Sequence, residues 1–454
     1  MTVASKITSV LLLTTAVAAD CANTLKPIND AKLANGWSYR PVATGFTKPR
    51  GIQFDKDGGL LVVDAKVGIF HLALKDDGDT CVTANKTTLL QNKGLTHGIA
   101  LSEDGKTLYA STPTNVYAWS YDSKAIKLGG SNRTVISNMT NIDQVTRTLT
   151  MSSKIPGTLL VSQGSASDED QNSLDKQSGH SQIRSFDLTK HTDSAYSFTD
   201  GDLIGWGLRN SVGVAEHPTT GGIWSVENSV DNLIRNNVDL HADNPGEELN
   251  YHGLVDKADD KDRGRNFGFP YCFTVWGTKN ITDLGNLNVG DQVPDGLGPK
   301  DITDGVCNSQ YAAPVLALQP HSAPLDIKFN KDGSTAYISF HGSFNSPNPV
   351  GYRIASISFK DGKPIAAHSS TDAAKDVITA ADLSKCTKPA NCLRPVGLAL
   401  DAKGRLWFSS DSGEIFVMQK DPNASDGKGS TGTMLHPGWV TVSLAVILAS
   451  FILV

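Results

Sequence analysis

GIQFDKDGGLLVVD, residues 51–64, sets an apolar alternating run, a turn carrying Asp and Gly, and a second apolar run side by side. Period-2 alternation turns one face of each run toward a core and the Gly-containing turn reverses the chain, so the stretch reads as a β-hairpin. The pattern returns in GIALSEDGKTLYAS (Gly98 to Ser111), TLTMSSKIPGTLLVSQG (Thr148 to Gly164), GVAEHPTTGGIWSVEN (Gly213 to Asn228), DIKFNKDGSTAYISF (Asp326 to Phe340) and GLALDAKGRLWFSS (Gly397 to Ser410). One hairpin cannot bury its face alone. Six copies, mostly 47 to 71 residues apart, predict four-stranded blades stacked around an axis, each covering its neighbour: an all-β, six-bladed β-propeller. The wider interval from Asn228 to Asp326 has room for the rest of a blade and a large loop.

The ends read differently. Lys6 followed by ITSVLLLTTAVAA gives a positive residue, a short apolar run and an Ala-x-Ala ending, the pattern of a secretory signal peptide over residues 1–19. The run is too short for a membrane-spanning helix. At the other end, Asn423 to Thr433 (NASDGKGSTGT) is small and polar and precedes an uncharged apolar tail, Trp439 to Val454. Small residues, spacer and terminal apolar tail form the order of a GPI-attachment signal, with Ser425, Gly427 or Gly429 as the attachment residue. A retained C-terminal membrane anchor is the alternative. The resulting division is a leader (1–19), a propeller (20–422), a spacer (423–438) and a removable tail (439–454), which implies a secreted protein anchored at the cell surface, to the plasma membrane or cell wall. Five sequons, at Asn85, Asn132, Asn138, Asn280 and Asn423, agree with that route.

Six cysteines in a secreted chain predict disulfides, and none shows the CxxC spacing of a zinc site. Of the fifteen pairings, the sequential one is preferred: Cys386 and Cys392 bracket a short loop, and Cys272 and Cys307 bracket the inserted one. A net charge of -6 and a pI near 6.0 argue against a general polyanion-binding surface, so nucleic acid is excluded as the expected partner.

In a propeller the innermost strands run along the axis, so residues just before corresponding strands meet at one end of the channel. Those positions carry Arg50, His97, Arg209 with Asn210, His321 and Arg394, and the positions after the second strand add Glu227, Asn228, His341 and Asp411. Three arginines converging without balancing carboxylates would call for an anion, best a ligand with several carboxylates. The competing reading pairs each arginine with a local Asp or Glu. His97 reads as a structural histidine, a metal ligand or a general base; flanking arginines would keep it neutral, as a base requires. The segment Ile234 to Gly253, following Glu227, Asn228 and Asp231, mixes carboxylates and amides as calcium loops do, without an EF-hand pattern.

GWGLRNSVGVAEHPTTGGIWSVENSVDNL, with the PGEELN and NFGFPYC elements, resembles the glucose/sorbosone dehydrogenases, six-bladed propellers using pyrroloquinoline quinone, and most of all their fungal L-sorbosone or pyranose dehydrogenase branch. The likeness runs from about Tyr39 to Met418. It implies His97 as the base that deprotonates the anomeric hydroxyl and Arg209 with Asn210 against the quinone. It further implies Arg394 on a cofactor carboxylate and the Glu227–Asn228 segment in a Ca²⁺ site. Arg50 and His321 complete the cofactor set by ring position. His341 stands where the bacterial enzymes carry a cofactor-contacting lysine, and Arg394 stands alone where they carry two arginines, so the cofactor meets less positive charge. The expected partners are a sugar, oxidised at its anomeric carbon, and an external electron acceptor, a quinone or a cytochrome, because the chain has no CxxCH haem site. The alternatives are a calcium-dependent six-bladed lactonase and a non-catalytic surface propeller.

Overall fold

The computed structural model describes residues 21–190, 193–281, 283–346 and 348–424. The leader, the three attachment candidates and the apolar tail lie outside the described residues.

Six blade sheets follow in chain order, each with four antiparallel strands begun by one of the sequence copies; Tyr196–Ser197 adds a parallel strand to the second, Arg265–Asn266 one to the third, and Ala31–Leu33 and Lys363–Pro364 extend the fifth. Their innermost strands are Pro49–Phe54, Ile99–Leu101, Leu149–Met151, Ser211–Glu216, Pro324–Phe329 and Pro395–Leu400. The alternation read from the sequence decides the packing: six apolar clusters sit at the six junctions between neighbouring blades. Leu60, Val62 and Leu72 of blade one meet Trp407, Ile415 and Val417 of blade six. Trp224, Val226 and Leu249 of blade four meet Ile327, Ile338 and Phe359 of blade five. Each such side chain, fully withdrawn from water, contributes about 2 kcal/mol.

The ring is closed by a strand from the other end of the chain. Trp37–Ala43 pairs antiparallel with Glu414–Lys420, Tyr39 opposite Met418, and supplies the outer strand of blade six. The disulfide Cys21–Cys81 fastens the segment ahead of that strand to blade one, and Asn23 adds hydrogen bonds to the carbonyls of Pro41 and Val82. The other bonds are Cys272–Cys307 and Cys386–Cys392, the sequential pairing. The wide interval holds the last two strands of blade four, Glu247–Leu254 and Leu316–Leu318, and between them a loop with its own small core around Phe269, Phe273 and Val293. All five sequon asparagines are exposed. Among the described residues no helix is long and apolar enough to cross a membrane.

Candidate functional site

Glycine explains why the residues ahead of the inner strands crowd together. A Cβ on Gly51 would overlap the carbonyl oxygen of His97, and one on Gly397 would overlap that of Arg50. With no side chain at these two positions, adjacent blades press main chain to main chain at the channel mouth. Serines on the second strands then fix the junctions: Ser409 Oγ donates to the carbonyl of Arg50 (2.6 Å) and Ser339 Oγ to that of Val396 (2.5 Å).

One cluster forms where blades one, two, five and six meet. Asp411 is its centre: His341 Nε2 donates to it at 2.7 Å, Arg50 Nη1 lies 3.5 Å away and Lys48 Nζ 3.9 Å. The Arg394 guanidinium lies along the His341 ring, with Nη2 2.8 Å from Nδ1, and its other side faces Tyr352 at 5.7 Å. Burial alone would raise the Asp411 carboxyl, but the His341 hydrogen bond and the charges of Arg50 and Lys48 outweigh it and hold it below the usual range. Burial, then Arg394 and Arg50, push His341 down to about 4 against the pull of Asp411. His97 is 3% exposed, and its Nδ1 has no hydrogen-bond partner among the described residues. Burial first, then the charges of Arg50 and Lys328, drive it well below the ordinary histidine value, so it is neutral at pH 7.

A second cluster stands across the mouth. Arg209 Nε and Nη2 both donate to one oxygen of Asp168, at 2.8 and 2.5 Å, with Asp231 3.9 Å away. Its main-chain N–H donates to Glu227 (2.6 Å). Asn210 Nδ2 donates to Gln144 (3.0 Å), while Asn228 Nδ2 donates to the carbonyl of Pro324 (2.7 Å). His321 has a left-handed backbone (φ +58°) and hydrogen-bonds the carbonyl of His241 at 2.5 Å. Asn345, in the loop after His341, donates to the main chain of Asp231 (3.2 Å) and joins the two clusters.

The expected ring of unneutralised arginines is therefore corrected. Arg50 and Arg209 each own a carboxylate, Asp411 and Asp168, and only Arg394 has none within salt-bridge reach among the described residues. Asp168, in the unrepeated run SASDED, carried no periodic signal that could have marked it. Arg147, which directly precedes the third copy as Arg50 does the first, is not part of the mouth. It is fully buried, donates to the carbonyls of Pro113, Gln144, Thr146 and Asn141, and is lowered by burial to about 9.

Of the acid-rich segment, Glu247 and Glu248 face inward, as does Glu227 ahead of it, while Asp239 is exposed. Glu227 also accepts from Asn250 Nδ2 (3.3 Å), and burial, then Glu248, raise it well above the carboxylate range. Glu247 accepts from the main chain of Ser229 and Ala323, and Glu248 from Thr274 and Asn250. Among the described residues no three His, Cys, Asp or Glu side chains converge to hold a metal ion.

Two cavities flank this arrangement. One of about 410 Å³ opens at the mouth beside Lys48, Arg394, Asp411 and Ser412, within the ~300–1,000 Å³ of small-molecule sites. The other, about 320 Å³, lies along the axis between the inner strands of blades one to five and is lined by His97, Thr148, Thr150, Glu216, Asp326 and Lys328.

Fold and site together define a six-bladed propeller whose mouth gathers Arg50, His341, Arg394 and Asp411 near the buried, neutral His97, with a cavity lined by Lys48, Arg394 and Asp411 beside them. The chain belongs to the TrAA12-like family, whose model matches residues 31–421. It is 51% identical over 403 residues to a pyrroloquinoline quinone-dependent sugar dehydrogenase of Hypocrea jecorina, covering 87% of this chain and 90% of that one. A calcium structure of a Trichoderma reesei protein of carbohydrate-active enzymes family AA12 superposes with a TM-score of 0.85 at 50% identity, covering 88% of this chain and all of that one. The holo form of the pyranose dehydrogenase PQQ domain from Coprinopsis cinerea superposes with a TM-score of 0.82 at 33% identity, covering 88% and 99%.

Proposed function

We propose that the protein is a pyrroloquinoline quinone-dependent dehydrogenase that oxidises an aldose or ketoaldose at its anomeric carbon. The observation that carries this reading is the neutral, buried His97 between Arg50 and the axial channel, next to a mouth where His341 and Arg50 share the Asp411 carboxylate and Arg394 lies on His341 with no carboxylate of its own among the described residues. A buried Arg50 that has one Asp and a half-buried Arg394 that has none fit a ligand bearing several carboxylates. Arg50, His341 and Arg394 would hold those carboxylates, Arg209 and Asn210 the opposite edge, and His321 the rim. Bound there, the quinone supplies a two-electron hydride acceptor. His97 takes the proton of the sugar hydroxyl as the C–H bond breaks, and Arg209, steadied by Asp168, stabilises the negative charge that develops. The Glu227–Asn228 segment is the candidate for Ca²⁺, through main-chain oxygens rather than through the Glu227 carboxylate, which is committed to Arg209 N–H.

The proposal extends to secretion, a GPI anchor and the boundaries 20–422 for the catalytic domain. It is supported by the leader and tail composition, three disulfides and five exposed sequons. The electrons pass to an external quinone or cytochrome.

Calorimetric titration of the purified protein with pyrroloquinoline quinone, with and without Ca²⁺, tests it. Saturable binding, weakened at least about tenfold by Arg394→Met, is expected. No heat at micromolar cofactor would contradict the reading.

A further inference from the structure

Lys328 comes from the inner strand of blade five and is a third exposed, on the axial-channel side of His97. Its ammonium is 2.7 Å from Asp326 Oδ1, and Asp326 is itself pinned, its Oδ2 accepting from the main chain of Leu398 (2.8 Å) and its Oδ1 from that of Ile327 (2.8 Å). The ammonium is thus tethered to a carboxylate that the next blade holds in place. It shares a cavity of about 320 Å³ with His97, reached from the end of the axis away from the arginine mouth. The charged groups facing His97 are Arg50 and Asp411 at the mouth and Lys328 with Asp326 below; Glu216, on blade four, closes the far lining and accepts from Ser152 Oγ and from the N–H groups of Ser153 and Lys154.

The cation above His97 and the cation below differ in what neutralises them. Arg50 faces Asp411, and a bound anion would neutralise it further. Lys328 keeps its place whether or not the mouth is filled, because Asp326 and not the ligand site holds it.

We propose that Lys328 is a positioning residue for the base: fixed beneath His97 by Asp326, it keeps the imidazole proton-free when an anionic cofactor at the mouth cancels the charge of Arg50. The inference rests on His97 being the base. In the step concerned, the sugar hydroxyl gives its proton to the His97 imidazole while the carbon-bound hydrogen leaves as hydride with its electron pair to the quinone. A histidine already protonated cannot take part, and an anion nearby favours that idle form.

The test is a graded series, Lys328→Arg, Lys328→Met and Lys328→Glu, on ¹⁵N-histidine-labelled, cofactor-free protein and again with pyrroloquinoline quinone bound. By NMR, the pH at which His97 is half-protonated should be unchanged in the arginine variant. It should rise by about half a unit in Lys328→Met and by about one unit in Lys328→Glu. The acid limb of kcat/KM for sugar oxidation should move in the same order, since it reports the free base. A half-protonation pH that is the same in all three variants would overturn the proposal. Retention of sugar oxidation by His97→Gln would overturn the base assignment instead, and the NMR series separates that failure from the first. Because Lys328 is partly exposed, its variants are expected to fold; should Lys328→Glu not, Lys328→Met against Lys328→Arg decides.

Discussion

Replacing Asp411 by Asn tests the electrostatics of the mouth with a change of one charge and almost no volume. In the native protein Asp411 faces Arg50 at 3.5 Å and receives the His341 N–H at 2.7 Å, with its side chain 14% exposed. At an effective dielectric near 20, a charge pair at that 3.5 Å distance is worth about 5 kcal/mol. Part of this is offset because the cost of burying the carboxylate disappears with it, and the amide oxygen still accepts from His341. The net loss is about 3 kcal/mol. For a domain of about 400 residues, whose unfolding entropy is about 0.8 kcal/mol per degree, that lowers Tm by about 4 °C. The sign with pH is fixed by the depressed carboxyl. Its stabilisation is present above the unfolded Asp value near 4 and is lost only as pH falls below that toward the folded value, so the Tm deficit of the variant should be constant from pH 5 to 8. Cofactor affinity should move the other way. Without Asp411, Arg50 joins Arg394 in having only the ligand carboxylates to pair with, and binding should tighten about tenfold or more. Thermal unfolding and calorimetry measure both. A variant that melts within about 1 °C of the parent and binds pyrroloquinoline quinone no more tightly would show that Asp411 neither stabilises the mouth nor competes with the cofactor.

Glu247 is fully buried and raised to about 7, burial being the main cause, so folding takes up a proton there and its contribution to stability falls as pH rises from about 4.5 to about 7. Tm should be higher at pH 5 than at pH 8, and Glu247→Gln should flatten that slope. Gly397→Ala should cost about 3 kcal/mol, because its Cβ would overlap the carbonyl oxygen of Arg50, and should weaken cofactor binding as well. Removing Cys21–Cys81, which closes 60 residues, should cost about 4 kcal/mol, against about 2 kcal/mol for the 6-residue loop of Cys386–Cys392. Chemical denaturation of the paired Cys→Ser variants reads the difference.

The repeat carried most of the architecture, since alternation assigns each residue to a blade face and a turn glycine ends each run. The pairings Cys272–Cys307 and Cys386–Cys392 also followed, because each pair brackets one loop, whereas Cys21–Cys81 spans 60 residues and joins the leading segment to blade one. The mouth was only partly legible. Arg50, His97, His341, Arg394 and Asp411 gather as their places in the repeat imply, but Arg147 occupies a comparable place and bonds main-chain carbonyls through all three of its side-chain nitrogens. Sequence could not distinguish these arginines, because the difference lies in how the preceding loop turns. Asp168 was invisible for the same reason, and Glu227 faces the blade interior because strand alternation puts it on one face with Ser225, beside Asn250. The strand Trp37–Ala43 could not be matched to its partner, since a pairing nearly four hundred residues distant leaves no local mark.

The most direct measurement mixes the protein, loaded with pyrroloquinoline quinone and Ca²⁺, rapidly with an aldose and follows the absorbance of the oxidised cofactor, in parallel with His97→Gln. Sugar-dependent loss of that absorbance in the parent, absent in a variant that still binds cofactor with unchanged affinity, is the predicted result. Equal rates in both proteins, or no spectral change with any sugar, would contradict it.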